Sequence, residues 1–376
     1  MNELFRVRRP RLRRFLLVAG AVAALLAAAA WELVLSRGRT PPIVGPDGAP
    51  LAQSVASLEQ VSLGGVPQWI LVRGRDRRKP VLLFAHGGPG MPAMHLAHAW
   101  QRPLEEDFVI VHWDRRGVGK SSRSPLPEGS LTVRRTLDDL HELTDLLRAR
   151  FGQERIYLLG HSWGSYLGLL EVHERPDRYL ALIGTGQEAG TRAEIRAARR
   201  AFFAAHAART HDDALARRLA DPASELGEDD LFRYGGELYG ARSVLPLIWA
   251  GLRAPEYDLA DMLALKRSCD RVNHEMREDV EPKLDQGEIR QLEIPVFLLL
   301  GRHDENTPSE LAVAYLDRLQ APLKGVEWLD RSAHLPFFEE PERFRAALQQ
   351  VDAAVQRFWK SPPVPGPSGN EPQPTR

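Results

Sequence analysis

The sequence predicts an α/β protein: a doubly wound, mostly parallel sheet carrying one inserted helical cap. Three observations predict it. Short apolar runs of strand length alternate with helical patterns along most of the chain. Several of those runs are apolar throughout, as strands covered by helices on both faces are. From Ala189 to about Leu292 the strand pattern stops, and Ala/Arg/Leu-rich helical sequence takes its place.

The chain begins with a basic block, residues 1–14, whose stretch RVRRPRLRR precedes the uncharged run FLLVAGAVAALLAAAAW. Continued to Leu35, that run is close to the ~20 residues needed to cross a bilayer. It reads as a transmembrane anchor over 15–35. A cleaved signal is the alternative, because Ala28 to Ala30 offer an A-x-A site. Either way the arginines stay in the cytoplasm and the rest of the chain faces outward, at the periplasmic or extracellular side. A Pro/Gly-rich linker fills 36–50, and the Pro-rich tail 361–376 has too little apolar content to fold. The globular body therefore divides into a core, 51–188 and 293–360, and a helical cap, 189–292.

Within the core the strand-like runs are VPQWILVRG, VLLFAHGG, FVIVHWD, IYLLGHS, YLALIGTG, PVFLLLGRHD and KGVEWLD. The helical stretches between them include Thr136 to Phe151, Trp163 to Glu174, Ser309 to Leu319 and Glu342 to Phe358. In such a sheet the functional site lies beyond the carboxyl ends of the strands. Composition narrows the function from the other side. Fifty basic residues balance fifty acidic ones, so nothing points to a nucleic acid partner. The single cysteine, Cys269, excludes an internal disulfide. His95 and His98 read as ordinary histidines, and neither a metal nor an organic cofactor is implied. Nothing sets an oligomeric state.

GHSWGS joins the run IYLL to a helical stretch. Gly160 and Gly164 leave room for a sharp strand-to-helix turn, which would lift the Ser162 hydroxyl out of the sheet beside the N–H groups of the new helix. A serine nucleophile needs a histidine base, an acid to orient it and donors for an oxyanion. His334 alone lies beyond the run Pro295 to Leu300 and the loop that follows it. The acid expected at the end of that run is Asp304, with Glu305 and Asp330 as competitors. HGGPG follows the run VLLFA, so the oxyanion donors are assigned to the N–H groups of Gly88 and Trp163. DRRGVGKSS contains GKS, but a phosphate loop needs glycine at position 114, which is Asp.

HGGPG, WDRRGVGKSS, GHSWGSYLGL and GRHDENTP together resemble the prolyl iminopeptidase group of the α/β-hydrolase superfamily, across residues 51–360. The resemblance implies an α/β-hydrolase fold and a serine aminopeptidase that removes N-terminal residues. The chain departs from the group at Arg115, where DQRG is usual, and at His161, where glycine often precedes the nucleophile. The resemblance also implies carboxylates that hold the substrate's α-amine: Glu305, which follows the catalytic Asp, and a second from the cap, for which Glu275 is the candidate. The expected substrate is a small peptide or an ester. A membrane-anchored esterase or amidase and a non-catalytic binding protein remain the alternatives.

Overall fold

The computed structural model describes residues 9–34, 37–221, 224, 226–286 and 289–360. Eight strands form one sheet: β1 (Val55–Leu63), β2 (Val66–Gly74), β3 (Val81–Ala85), β4 (Val109–Asp114), β5 (Ile156–His161), β6 (Tyr179–Thr185), β7 (Val296–Gly301) and β8 (Lys324–Leu329). Their order is β1-β2-β4-β3-β5-β6-β7-β8. β2 pairs antiparallel with both β1 and β4, and every other pairing is parallel.

The central strands are buried on both faces, and alternate residues feed two separate cores. Val81, Leu83, Ala85, Ile156 and Leu158 join the core with Leu137, Leu140, Leu143 and Leu147 of the helix Val133–Phe151. Their neighbours Leu82, Phe84, Tyr157 and Leu159 join the opposite core with Trp100, Phe344, Leu348 and Val351. That period of two, buried on both sides, is what makes these strands apolar throughout. The helix Val133–Phe151 starts where the Thr132 side chain accepts from Arg135 N–H at 3.1 Å and stops at Gly152, φ 63°.

Register places the strand ends together. Ala85 stands beside Gly160, His161 beside Thr185, and Gly301 beside Leu329. The loops after β3, β5, β6, β7 and β8 therefore emerge at one edge. Over the insertion between β6 and β7 run the helices Arg192–Thr210, Asp213–Ala220, Glu228–Tyr234, Leu245–Gly251 and Leu259–Gln286.

β1 was not among the sequence runs. VASLEQVSL is an edge strand with only Leu63 buried, so its apolar signal is weak. The N-terminal basic and apolar stretch forms the helix Arg9–Val34, on which Phe15, Leu16, Leu17 and Val18 are exposed. Among the described residues no helix is long and apolar enough to cross a membrane. The expected span 15–35 ends, at Leu35, outside the described residues, as does the tail 361–376.

Candidate active site

Ser162 sits between β5 and the helix Trp163–Glu174 with φ 54° and ψ −128°. A non-glycine residue held there stores strain of about 1–3 kcal/mol, which the surroundings must impose. They do so through the backbone. The Ser162 N–H donates to Thr185 O at 3.1 Å, and Ser162 O accepts from the N–H and hydroxyl of Ser165 at 2.8 and 2.6 Å. The flanking glycines are required by close approach. A Cβ on Gly164 would lie 2.1 Å from Ala85 O, and one on Gly160 would lie 2.6 Å from Ser165 Cα.

Asp304 and His334 are buried and meet: His334 Nδ1 lies 2.9 Å from Asp304 Oδ2. A carboxylate can only accept, so Nδ1 carries the hydrogen and Nε2 is left as the basic nitrogen. Asp304 is itself held. Its Oδ1 accepts from the N–H groups of Asn306 and Thr307, both at 2.9 Å, and Thr307 Oγ1 donates to Oδ2 at 3.0 Å. The serine and histidine loops touch the same turn after β6. A Cβ on Gly186 would meet the His334 ring at 2.9 Å, and His161, next to Ser162, donates from Nε2 to His334 O at 3.0 Å. Asp330 does not belong here, since it is 74% exposed and paired with Arg302 at 2.9 Å.

Gly88 has φ 116°, a backbone that glycine adopts, and a Cβ there would lie 2.3 Å from the nitrogens of Gly90 and Met91. A Cβ on the preceding Gly87 would lie 2.9 Å from Ser162 Cβ, so the HGGPG loop runs directly over the elbow. Trp163 is buried at the first position of its helix.

Two further carboxylates, Glu237 and Glu188, act on His334. Burial opposes its charge, but the charges of Asp304 and Glu237, the Asp304 hydrogen bond and the charge of Glu188 outweigh burial and raise the imidazole to about 9. Glu237 is buried after the helix Glu228–Tyr234, and its carbonyl accepts from His334 N–H at 3.1 Å. Its Oε2 is buried without a hydrogen-bond partner among the described residues, and burial first of all pushes the carboxyl up to about 7. Glu305 is pushed up to about 8 by burial and then by the charges of Glu310 and Asp304. Its N–H donates to Gly236 O at 3.0 Å, so Glu305 lies beside the Glu237 loop. Arg199, from the first helix of the insertion, donates to Glu305 O at 3.2 Å and reaches the Asn306 carbonyl.

Glu275 is not with them. It is exposed on the helix Leu259–Gln286 and lies 4.0 Å from Arg271, while Val272 and Met276 of that helix are the buried ones. The carboxylate that the insertion places beside His334 is Glu237, which the sequence reading missed because one acid in GGEL carries no positional rule. Glu188 was findable, since it stands just after β6. The GKS stretch has a structural role. Lys120 Nζ pairs with Asp261 at 2.7 Å, and Asp114 accepts from Lys120 N–H at 2.8 Å and from the Tyr257 hydroxyl.

Comparison with known proteins agrees with this architecture. A family model described as the alpha/beta hydrolase fold matches residues 80–341. The chain belongs to that family. It is 28% identical over 315 residues to a probable aminopeptidase, YbaC, of Bacillus subtilis, covering 80% of this chain and 98% of that protein. A probable proline iminopeptidase of Streptomyces coelicolor is 34% identical over 125 residues, 32% of this chain and 37% of that one. The crystal structure of a proline iminopeptidase from Mycobacterium smegmatis superposes with a TM-score of 0.58 at 22% identity, covering 81% of this chain and all of the other. Within its family the chain is prolyl iminopeptidase-like, and it is a serine hydrolase.

Proposed function

We propose that the protein is an aminopeptidase that removes N-terminal residues, proline among them, from small peptides through an acyl-enzyme on Ser162. The observation that carries this is the buried 2.9 Å pair of His334 and Asp304, built from strand-end loops that meet the strained turn at Ser162. His334 Nε2 takes the hydroxyl proton as Ser162 Oγ bonds to the scissile carbonyl carbon. Asp304 holds Nδ1–H and stabilises the imidazolium. The oxyanion is received by the N–H groups of Gly88 and Trp163. As the intermediate collapses, the carbon–nitrogen bond breaks and His334 gives its proton to the leaving amine. Water then repeats the sequence and frees the acyl group.

Glu237 and Glu305 supply the choice of substrate. Each is a buried or half-buried carboxyl with no cationic side chain bonded to its oxygens among the described residues; Glu237 acts on His334, and Glu305 follows Asp304. A protonated α-amine placed between them supplies the missing positive charge. That arrangement favours the aminopeptidase over the esterase or amidase alternative. The deciding experiment profiles products over aminoacyl arylamides, N-acetylated peptides and simple esters. Equal cleavage of acetylated and free peptides ends the aminopeptidase reading and leaves the esterase. Failure of a fluorophosphonate to label Ser162 ends both in favour of a non-catalytic protein.

For location, we propose that the N-terminal stretch 15–35, which the described residues cover only in part, holds the protein to a membrane with the catalytic body outside the cytoplasm. The exposed Phe15, Leu16, Leu17 and Val18 and the arginine block support it. The segment after the helix Arg9–Val34 is tied to the insertion, with Gly38 N–H donating to Pro255 O at 2.9 Å. Nearby, Leu245 and Trp249 are exposed on the helix Leu245–Gly251. The expected result is retention in the membrane fraction after a high-salt wash, with a reporter that works only outside the cytoplasm active when fused after Pro50. Recovery of the full chain in the soluble fraction, or activity only of a cytoplasmic reporter, overturns it.

A further inference from the structure

Arg115 is the residue at which this chain leaves the DQRG pattern, and the structure gives it an unusual task. Arg115 is 2% exposed, and the hydrogen bonds of its side chain among the described residues all go to the loop between β3 and the following helical turns. Nη1 donates to His86 O at 2.8 Å, and Nη2 donates to Gly87 O at 2.6 Å and to Pro89 O at 2.8 Å. Nη2 also lies 2.8 Å from His86 Nδ1. His86 Nδ1 also lies 3.0 Å from Gly87 O, but a guanidinium only donates, so Nδ1 accepts from Nη2 and leaves that carbonyl to Arg115, and the two hydrogens on Nη2 are shared among three acceptors. The neighbouring Asp114 is taken up by Lys120 N–H and the Tyr257 hydroxyl.

One of those bonds bears directly on the chemistry. Gly87 C=O and Gly88 N–H belong to the same trans peptide unit, so they point in opposite directions from one rigid plane. Fixing the carbonyl fixes the N–H. The loop has glycine at 87, 88 and 90 and little side chain with which to hold itself, and Gly88 at φ 116° is free to leave that conformation. The same guanidinium lies 4.7 Å from the ring centroid of Trp163, whose N–H is the second oxyanion donor. One buried side chain thus braces both walls of the hole.

We propose that Arg115 is the positioning residue of the oxyanion hole, aiming the Gly88 N–H through the Gly87 carbonyl and bracing Trp163. This rests on the acyl-enzyme reading above. Glutamine has a single donor group at the end of its side chain, whereas the guanidinium has five N–H bonds in a fixed fork, enough for three carbonyls at once. The cation also sits behind the hole, where it favours the negative charge that develops in the transition state and is absent from the ground state.

The test is made on the full chain with Arg115→Ala, Arg115→Gln and Arg115→Lys. The probes are an aminoacyl arylamide turned over by the wild type, the matching aminoacyl boronic acid, which forms a tetrahedral adduct on the serine, and the free amino acid product. For Arg115→Ala, kcat is expected to fall about 100-fold, the scale of one lost oxyanion donor. KM and product affinity should stay within about 3-fold, because ground-state contacts are not what Arg115 serves. Boronate affinity should fall in step with kcat, and Arg115→Gln should recover part of both. If the alanine variant does not fold, the lysine variant keeps the stem and the charge but loses the fork, and should show the same split at about 10-fold. A folded variant with wild-type kcat overturns the proposal, as does an equal loss of product and boronate affinity, which would mean general damage to the site. Fluorophosphonate labelling separates the two readings: a wild type unlabelled at Ser162 overturns the acyl-enzyme, whereas a labelled wild type with an equally fast Arg115→Ala overturns only Arg115.

Discussion

The sheet edge and the insertion contribute to one site in different ways. Ser162, Asp304 and His334 stand on short loops whose backbone groups are bonded at both ends, to Thr185 O, Gly301 O and Glu237 O among others. Glu237 instead stands on the insertion, after the seven-residue helix Glu228–Tyr234, and meets the edge through Gly236 and Glu305. The edge has little freedom, and the acyl chemistry proposed for it needs little. The insertion can change its acids without moving the nucleophile. Under the proposed roles, reaction and substrate choice can largely be broken apart, and Glu237 is where they join, since its charge also raises His334.

Breaking the edge gives the largest effects. Ser162→Ala should lower kcat by about 10⁶-fold, and Asp304→Asn by about 10⁴-fold through loss of the oriented tautomer. Both should act equally on arylamides and on esters. Turnover measured on each substrate, alongside a thermal melt to show an intact fold, checks it. Near-normal turnover by Ser162→Ala would remove that residue from the mechanism.

Removing the two proposed amine-binding carboxyls, one from the insertion and one from the edge, should divide the substrates. A charge-assisted bond to an α-ammonium contributes about 1.5–3 kcal/mol, so Glu237→Gln and Glu305→Gln should each lower kcat/KM for free-amine substrates by roughly 10- to 150-fold. Simple esters should hardly respond to Glu305→Gln, and with Glu237→Gln they should be cleaved somewhat faster near pH 7, because one of the charges that keep His334 protonated is gone. Because Glu305 adjoins Asp304 whereas Glu237 comes from the insertion, an equal loss on both substrate types with Glu305→Gln alone would mark a disturbed triad.

The same division governs what was legible in the sequence. The parallel sheet could be read because doubly covered strands leave uninterrupted apolar runs such as VLLFA and IYLL. Residues at strand ends could be read because chain order and glycine spacing constrain them, which is how Ser162, Asp304 and His334 were chosen. β1 escaped because an edge strand needs little apolar surface. Glu237 escaped because the packing of five helices, which no local period encodes, decides which acid of the insertion turns inward. Glu275, in the same region, turned outward for the same reason.

Proton binding offers a milder way to sharpen the comparison. His334 is raised to about 9 from 6.5, so its contribution to stability is fully present below pH 6.5 and is lost as pH rises through 9. The buried carboxyls Glu237 and Glu305 are raised from 4.5 to about 7 and about 8, and their contribution is likewise lost as pH rises through those values. All three have one sign, so Tm should fall between pH 6 and pH 9, and Glu237→Gln should flatten that slope. A Tm that rises over this window contradicts the assignment. Activity should divide by substrate. Esters should be cleaved faster as His334 loses its proton toward pH 9, whereas free-amine substrates should pass through a maximum, since an α-amine loses its charge near pH 8.

The smallest effect is expected at Glu275. Its carboxylate is half exposed and 4.0 Å from Arg271 across one helical turn, a pair of the kind that contributes a few tenths of a kcal/mol. Glu275→Gln should therefore change Tm by no more than about 1–2 °C and kcat/KM by less than about 2-fold on free-amine and acetylated substrates alike. The comparison with Glu237→Gln is the informative one, because the two glutamates lie in one insertion and the same substitution is made in each, so any effect common to that region acts through both. What separates them is burial beside His334. If Glu275→Gln lowered kcat/KM for free-amine substrates as much as Glu237→Gln does, proximity would not be what selects the amine, and the insertion's overall charge would have to replace it as the explanation.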